Sequence, residues 1–292
     1  MQRIKRNGVG LAYEDVNPAA PPILFVHGWS CDHTVFAAQV EFFSRSRRVV
    51  SVDLRGHGRS DAPEQTYTMT DFADDLAWLC TELALIRPIV IGHSMGGNIA
   101  LELAAQYPDI LAGVVLIDSV VFPSQRFRNS LQPLVEALQG TDYVAACRQA
   151  MLSTCLTSDD ETVKSQLIAS LPKAPREVLA STLKNHLIEY DSAPAATNCH
   201  LPVAYIGATS LLADLDRFRS LTPQLVTAQT LGSGHFSPVF VPRQINAMIF
   251  TFVELNSPGP REHEGDTRLS MKGSAASCVE TEGFGPEFSP DG

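Results

Sequence analysis

Six short apolar runs recur along this chain with helical patterns between them, and that alternation leaves few architectures open. The runs are PILFVHG (Pro22–Gly28), RVVSVDLRG (Arg48–Gly56), PIVIGHS (Pro88–Ser94), LAGVVLIDS (Leu111–Ser119), PVAYIGA (Pro202–Ala208) and QLVTAQTLG (Gln224–Gly232). They are continuous rather than alternating, the pattern of strands buried on both faces of a sheet. Between them, Phe72, Leu76, Leu79 and Leu83 recur at spacings of three and four, with a Thr or Asp upstream to cap the helix. GGNIALELAAQYP is rich in helix formers and is expected to stop at Tyr107, the residue before a proline. Such strand–helix alternation predicts an α/β fold with a doubly wound, mostly parallel sheet.

One stretch breaks the rhythm. From about Phe122 to His200 the patterns are helical, as in LQPLVEALQGTDYVAACRQAMLSTCL and REVLASTLKNHLIEYD, and no strand is convincing. This stretch reads as a helical cap over the C-terminal edge of the sheet. The expected organisation is a core in two parts, 1–121 and 201–256, a cap over 122–200, and a tail over 257–292. The tail is rich in Gly, Pro, Ser and charge with little periodicity, the composition of a disordered segment.

Charge and cysteine usage restrict the partners. The net charge is −10 and no dense Lys/Arg run occurs, RSRR at 45–48 being the nearest. An acidic chain has no electrostatic attraction to nucleic acid or to an anionic membrane. No stretch reaches the roughly 18 apolar residues of a spanning helix, and the N-terminus lacks the apolar run of a secretory signal. The six cysteines have no CxxC spacing, so free thiols and a cytoplasmic location are expected. No metal-ligand spacing is visible. The expected partner is a small-molecule substrate, with no cofactor; the oligomeric state is not legible.

The chemistry concentrates in three segments. GHSMG (Gly92–Gly96) matches G-x-S-x-G between a strand and a helix, the context of a nucleophile elbow, where a tight turn lifts a serine Oγ to the top of a sheet. Ser94 is the candidate nucleophile. A nucleophilic serine needs backbone N–H groups aimed at the developing oxyanion. Met95, following the serine, can supply one, and Trp29 in FVHGWSCDH the other, with His27 bracing that loop. Of eight histidines, His235 in LGSGHFSPVFVP lies in a small-residue loop after the last strand and suits a general base. His33 and His57 precede the serine, and His186, His200 and His263 lack a comparable setting. DLRGHGRSD is assigned turn-forming glycines and structural hydrogen bonds from Asp53 and Arg55.

HGW, DLRGHGRSD, GHSMGG and GSGHF, in this order from about Gly8 to Leu255, resemble the α/β-hydrolase fold superfamily, its serine-nucleophile branch of esterases, lactonases and C–C hydrolases. The resemblance implies Ser94 as nucleophile, His235 as base, an acid between them, and a cap between strands six and seven. The sequence departs from the pattern at the acid. The usual G-x-x-D after strand seven reads Gly207-Ala208-Thr209-Ser210. Asp118, at the end of strand six, is favoured, with Asp214 as the alternative. The expected activity is hydrolysis of an ester, thioester or lactone of a small, largely apolar substrate through an acyl-Ser94. Serine rather than Asp at the elbow argues against haloalkane dehalogenases and epoxide hydrolases of this superfamily. Two other readings stay open. GWSCDHTVF and Asp118 also resemble the cofactor-free ring-cleaving dioxygenases of this fold, in which the His235–Asp118 pair would deprotonate an N-heteroaromatic. A non-catalytic, hydrolase-like receptor for a small ligand is the other.

Overall fold

The computed structural model describes residues 1–18 and 21–257. It begins with two strands that the apolar runs did not announce. β1 (Gln2–Arg6) and β2 (Val9–Val16) form an antiparallel hairpin. QRIKR has a single apolar residue, Ile4, so no buried-strand pattern marks it. The signal was in the turn: Asn7 and Gly8 have φ of 49° and 86°, as a two-residue hairpin turn requires.

The six apolar runs are all strands. β3 (Ile23–Val26), β4 (Val49–Asp53), β5 (Ile89–His93), β6 (Gly113–Ile117) and β7 (Val203–Gly207) are buried at every residue, while β8 (Leu225–Gln229) is a partly exposed edge. The order is β1-β2-β4-β3-β5-β6-β7-β8, with every pair from β4 to β8 parallel. The chain passes from β3 outward to β4, then returns to place β5 on the other side of β3. That reversal is a topological switch point, where the carboxyl ends of strands open a crevice for a ligand.

Helices cover both faces. α1 (Ala37–Phe43) lies on one side, and α2 (Met69–Glu82) and α3 (Met95–Gln106) on the other. Thr68 caps α2 in a reciprocal capping box with Asp71, and Phe72, Leu76 and Leu79 are buried. Each such side chain contributes about 1.5–3 kcal/mol of transfer free energy. α3 ends at Gln106, before Tyr107-Pro108. Between β6 and β7 come α4 (Gln125–Ser130), α5 (Gln132–Ala137), α6 (Tyr143–Leu152), α7 (Glu161–Ser170), α8 (Arg176–Leu183), a π-helical turn (Lys184–Ile188) and α9 (Ala193–Asn198). α10 (Leu215–Leu221) follows β7; α11 (Ser237–Phe240) and α12 (Pro242–Asn256) follow β8. Among the described residues, five cysteines are free and no helix is long and apolar enough to cross a membrane. Cys278 and the tail expected over 257–292, save Ser257, lie outside the described residues.

The loop after β4 is held by charge. Asp53 Oδ1 accepts from His33 N at 2.8 Å and from His33 Nδ1 at 2.7 Å, and Oδ2 accepts from Arg59 N at 2.8 Å. Arg55 reaches Asp75 at 2.7 Å. Burial alone would raise the Asp53 carboxyl, but the bonds from His33 and the backbone outweigh it and hold it at about 2. The same bond raises the His33 imidazolium above its ordinary 6.5, against an opposing effect of burial. Asp53 therefore contributes stability above pH 3.8 that is lost as pH falls toward 2. His33 contributes stability below pH 6.5 that is lost as pH rises through its raised folded value. In urea unfolding between pH 6 and 9, His33→Asn is expected to lose less stability than wild type. Parallel curves for the two proteins would reject the assignment.

Candidate active site

β5 runs into α3 through a single residue, Ser94, whose φ of 54° and ψ of −117° lie far from helix or strand. A non-glycine residue held there is strained, and neighbouring contacts must over-determine it. Ser94 N donates to Ile117 O at 2.9 Å, and Gly97 N donates to Ser94 O at 3.0 Å. The turn is possible because Gly92 and Gly96, two residues to either side, lack side chains. A Cβ on Gly96 would stand 2.1 Å from Val26 O and 2.6 Å from His27 O, backbone atoms that cannot yield. Gly96→Ala is thus expected to destabilise the fold by about 3 kcal/mol or more. The urea midpoint should fall at unchanged m-value; a midpoint near wild type would contradict this packing.

The loop after β3 abuts the serine, a Cβ on Gly28 lying 3.0 Å from Ser94 Cβ. His27 braces it, donating from Nδ1 to Gly28 O at 2.8 Å and accepting from Leu54 N at Nε2 at 3.0 Å. The Trp29 indole Nε1 donates to Leu179 O of α8 at 3.0 Å, so the ring ties this loop to the inserted helices. The backbone N–H groups of Trp29 and Met95 donate to no acceptor among the described residues. Met95 follows Ser94 directly, and Trp29 lines the same cavity as Ser94.

His235 sits in the loop between β8 and α11. Its Nδ1 donates to Asp118 Oδ2 at 2.7 Å, and Asp118 Oδ1 accepts from Ala208 N at 3.0 Å. Asp118 is buried, just past β6, with φ of 44°. Asp214 is elsewhere: it caps α10, its carboxylate accepting from Arg217 N at 3.0 Å. The structure thus brings Asp118, and not Asp214, to His235. With Nδ1 bound to a carboxylate, Nε2 is the nitrogen left to accept a proton. Ser94 and His235 line the same cavity of about 450 Å³. No hydrogen bond joins Ser94 Oγ to His235 in this structure; such contacts often tighten only around a substrate.

Two further histidines belong to the site. His93, next to the serine, donates from Nε2 to His235 O at 2.9 Å, and its ring lies 4.7 Å from the His235 ring. Burial, then the proximity of His235, pushes its pKa well below 6.5, so it is neutral. The motif contained His93 but gave no hint that it would hold the backbone carbonyl of His235. His186, set aside in the sequence, lines the cavity. Asn98 Nδ2 donates to Val120 O at 3.0 Å and to His186 Nε2 at 2.7 Å. Burial lowers the His186 pKa to about 3, keeping it neutral. Among the described residues no group of three or more His, Cys, Asp or Glu side chains is placed to hold a metal.

The rest of the cavity wall comes mainly from the inserted helices, including Phe127, Leu131, Leu134, Ala146, Met151 and Leu187. The site therefore joins polar groups at the strand ends to a largely apolar chamber.

Comparison with known proteins agrees with this fold. The family model described as the alpha/beta hydrolase fold matches residues 21–171. The chain is similar to the 2-(acetamidomethylene)succinate hydrolase of Mesorhizobium japonicum, 37% identical over 119 residues, which cover 41% of this chain and 43% of that protein. It is also similar to a bifunctional esterase/perhydrolase of Acinetobacter calcoaceticus, 39% identical over 118 residues, covering 39% and 43%. These matches span less than half the length of either relative. Among solved structures, a thermophilic esterase from Thermogutta terrifontis superposes with a TM-score of 0.78 at 26% identity, over 87% of this chain and 99% of that one. With more than half of its residues inside the family match and the strand order to go with it, the chain belongs to the alpha/beta hydrolase fold family.

Proposed function

We propose that this protein is a serine hydrolase that cleaves an ester, thioester or lactone of a small, largely apolar substrate. Ser94 Oγ attacks the carbonyl carbon while His235 Nε2 takes the hydroxyl proton. Asp118 keeps the imidazole in the required tautomer and stabilises the imidazolium that forms. The tetrahedral oxyanion is received by the Trp29 and Met95 N–H groups. His235 returns the proton to the leaving group, and a water it then deprotonates releases the acyl group from Ser94. One observation carries the reading: His235, with Nδ1 bound to Asp118 at 2.7 Å, lines the cavity that Ser94 also lines. The esterases among the similar proteins support the same reaction class.

In this reading residues 122–200 act as the cap, and residues 1–121 and 201–256 as the core. The cap contributes most of the apolar lining, and a chamber of about 450 Å³ suits a small acyl group. The free cysteines favour a reducing, cytoplasmic setting. A panel of p-nitrophenyl esters of increasing chain length tests the proposal. Release of p-nitrophenol is expected for short and medium chains, with a decline once the acyl group outgrows the chamber. No turnover across the whole panel would reject the esterase reading.

A second reading has one observation behind it, the delivery of the acid from the end of β6 rather than after β7. The His235–Asp118 pair would then deprotonate an N-heteroaromatic substrate, which reacts with oxygen without a cofactor. Oxygen uptake with a hydroxylated N-heteroaromatic tests it.

A further inference from the structure

The loop that carries His235 is tied to the inserted helices at two successive backbone N–H groups. Gly234 N donates to Asp159 Oδ1 at 3.2 Å, and His235 N donates to Thr154 O at 3.0 Å. Asp159 lies between α6 and α7 and is only 5% exposed. Its other oxygen accepts from Leu156 N at 2.6 Å and closes the 154–159 turn. No Lys, Arg or His pairs with it among the described residues; the nearby Lys164 pairs with Glu161. A carboxylate buried against backbone donors alone is costly to keep unless those bonds matter.

The fit is tight enough to require glycine at 234. A Cβ there would stand 2.5 Å from Thr154 O and 2.9 Å from Asp159 Oδ2. On the far side of the loop, His93 holds His235 O, and Asp118 holds the ring. The ring is thus oriented from the sheet, while the backbone beneath it is fastened to the insertion. Asp159 itself does not line the cavity. A change there reaches the site through the loop.

We propose that Asp159 is a positioning residue for His235: it pins the 234–235 backbone to the 154–159 turn, so that the seat of the base depends on the placement of the inserted helices. This rests on the reading of His235 as general base. Loosening the pin then lowers turnover more than substrate affinity, because Asp159 itself lines no part of the chamber. Displacement of a catalytic group by about 1 Å can cost on the order of 100-fold in rate.

The test compares Asp159→Ala and Asp159→Asn with wild type in the full chain, with two readouts. The first is hydrogen–deuterium exchange of the amides of Gly234 and His235. The second is kcat and KM for a p-nitrophenyl ester. In Asp159→Ala, exchange is expected to accelerate, and kcat to fall roughly tenfold with KM within about twofold. Asp159→Asn, which keeps one acceptor oxygen, should lie between that variant and wild type, and it carries the test if the alanine variant does not fold. Unchanged exchange would overturn the pin. Accelerated exchange with unchanged kcat would overturn the positioning role. If wild type turns over no ester, the esterase reading fails on its own, and the exchange result still decides whether Asp159 holds the loop.

Discussion

Ser94→Ala is expected to lower kcat on a p-nitrophenyl ester by about 10⁴- to 10⁶-fold while leaving the fold intact. The two halves of that expectation come from different features of the residue. In the proposed mechanism the hydroxyl forms the acyl-enzyme, so its loss removes the covalent route altogether. Structurally, the hydroxyl makes no hydrogen bond among the described residues, so its removal strands no buried partner there. The strained backbone at φ of 54° is enforced by the glycine contacts around it and is no harder for alanine than for serine. Stability should therefore change by less than about 1 kcal/mol. A residual rate above the uncatalysed one is also expected, because the Trp29 and Met95 donors remain. Steady-state release of p-nitrophenol together with a melting curve checks both halves. A loss of less than tenfold in a folded variant would remove the acyl-enzyme from the mechanism.

Asp118→Asn is expected to cost about 10³- to 10⁴-fold in kcat, and Asp214→Ala almost nothing. Asp118 accepts the Nδ1–H of His235 at 2.7 Å. An asparagine there can turn its amide toward the ring and donate instead, which moves the imidazole proton to Nε2. A protonated Nε2 cannot take the serine proton. Asp214, in contrast, is bonded to Arg217 N as the cap of α10. Its replacement by alanine should lower stability by about 0.5–2 kcal/mol and leave kcat within about twofold. Measuring both variants against one ester separates the roles. Comparable losses of kcat in the two would place the acid elsewhere.

The two aspartates also mark where sequence reading stopped. Each is an acidic residue in a loop after a strand, and the motif that would have chosen between them is broken by Ser210. The choice depends on which carboxylate meets a ring 117 residues from Asp118 in the chain, and no local pattern encodes that. Ser94, Met95, Trp29 and His235 could be singled out as candidates because their surroundings are local. Glycines mark the elbow and the small-residue loop, and apolar runs mark the strands that end there. The β1–β2 hairpin was missed for the opposite reason: β1 is polar and largely exposed with Ile4 as its one apolar residue, and only Asn7-Gly8 marks the turn.

From its sequence alone this chain is determined to form a sheet buried on both faces, with a serine at a strand-to-helix elbow and a long helical insertion. Those properties follow from hydrophobic period and turn chemistry, which act over a few residues. Only the tertiary structure decided that Asp118 is the partner of His235, that His93 supports the carbonyl of that residue, that His186 lines the chamber, and that Asp159 accepts from Gly234 N beside His235. Each of those is a contact between residues far apart in the chain, created when β6, the β8–α11 loop and the insertion converge at the carboxyl ends of the strands.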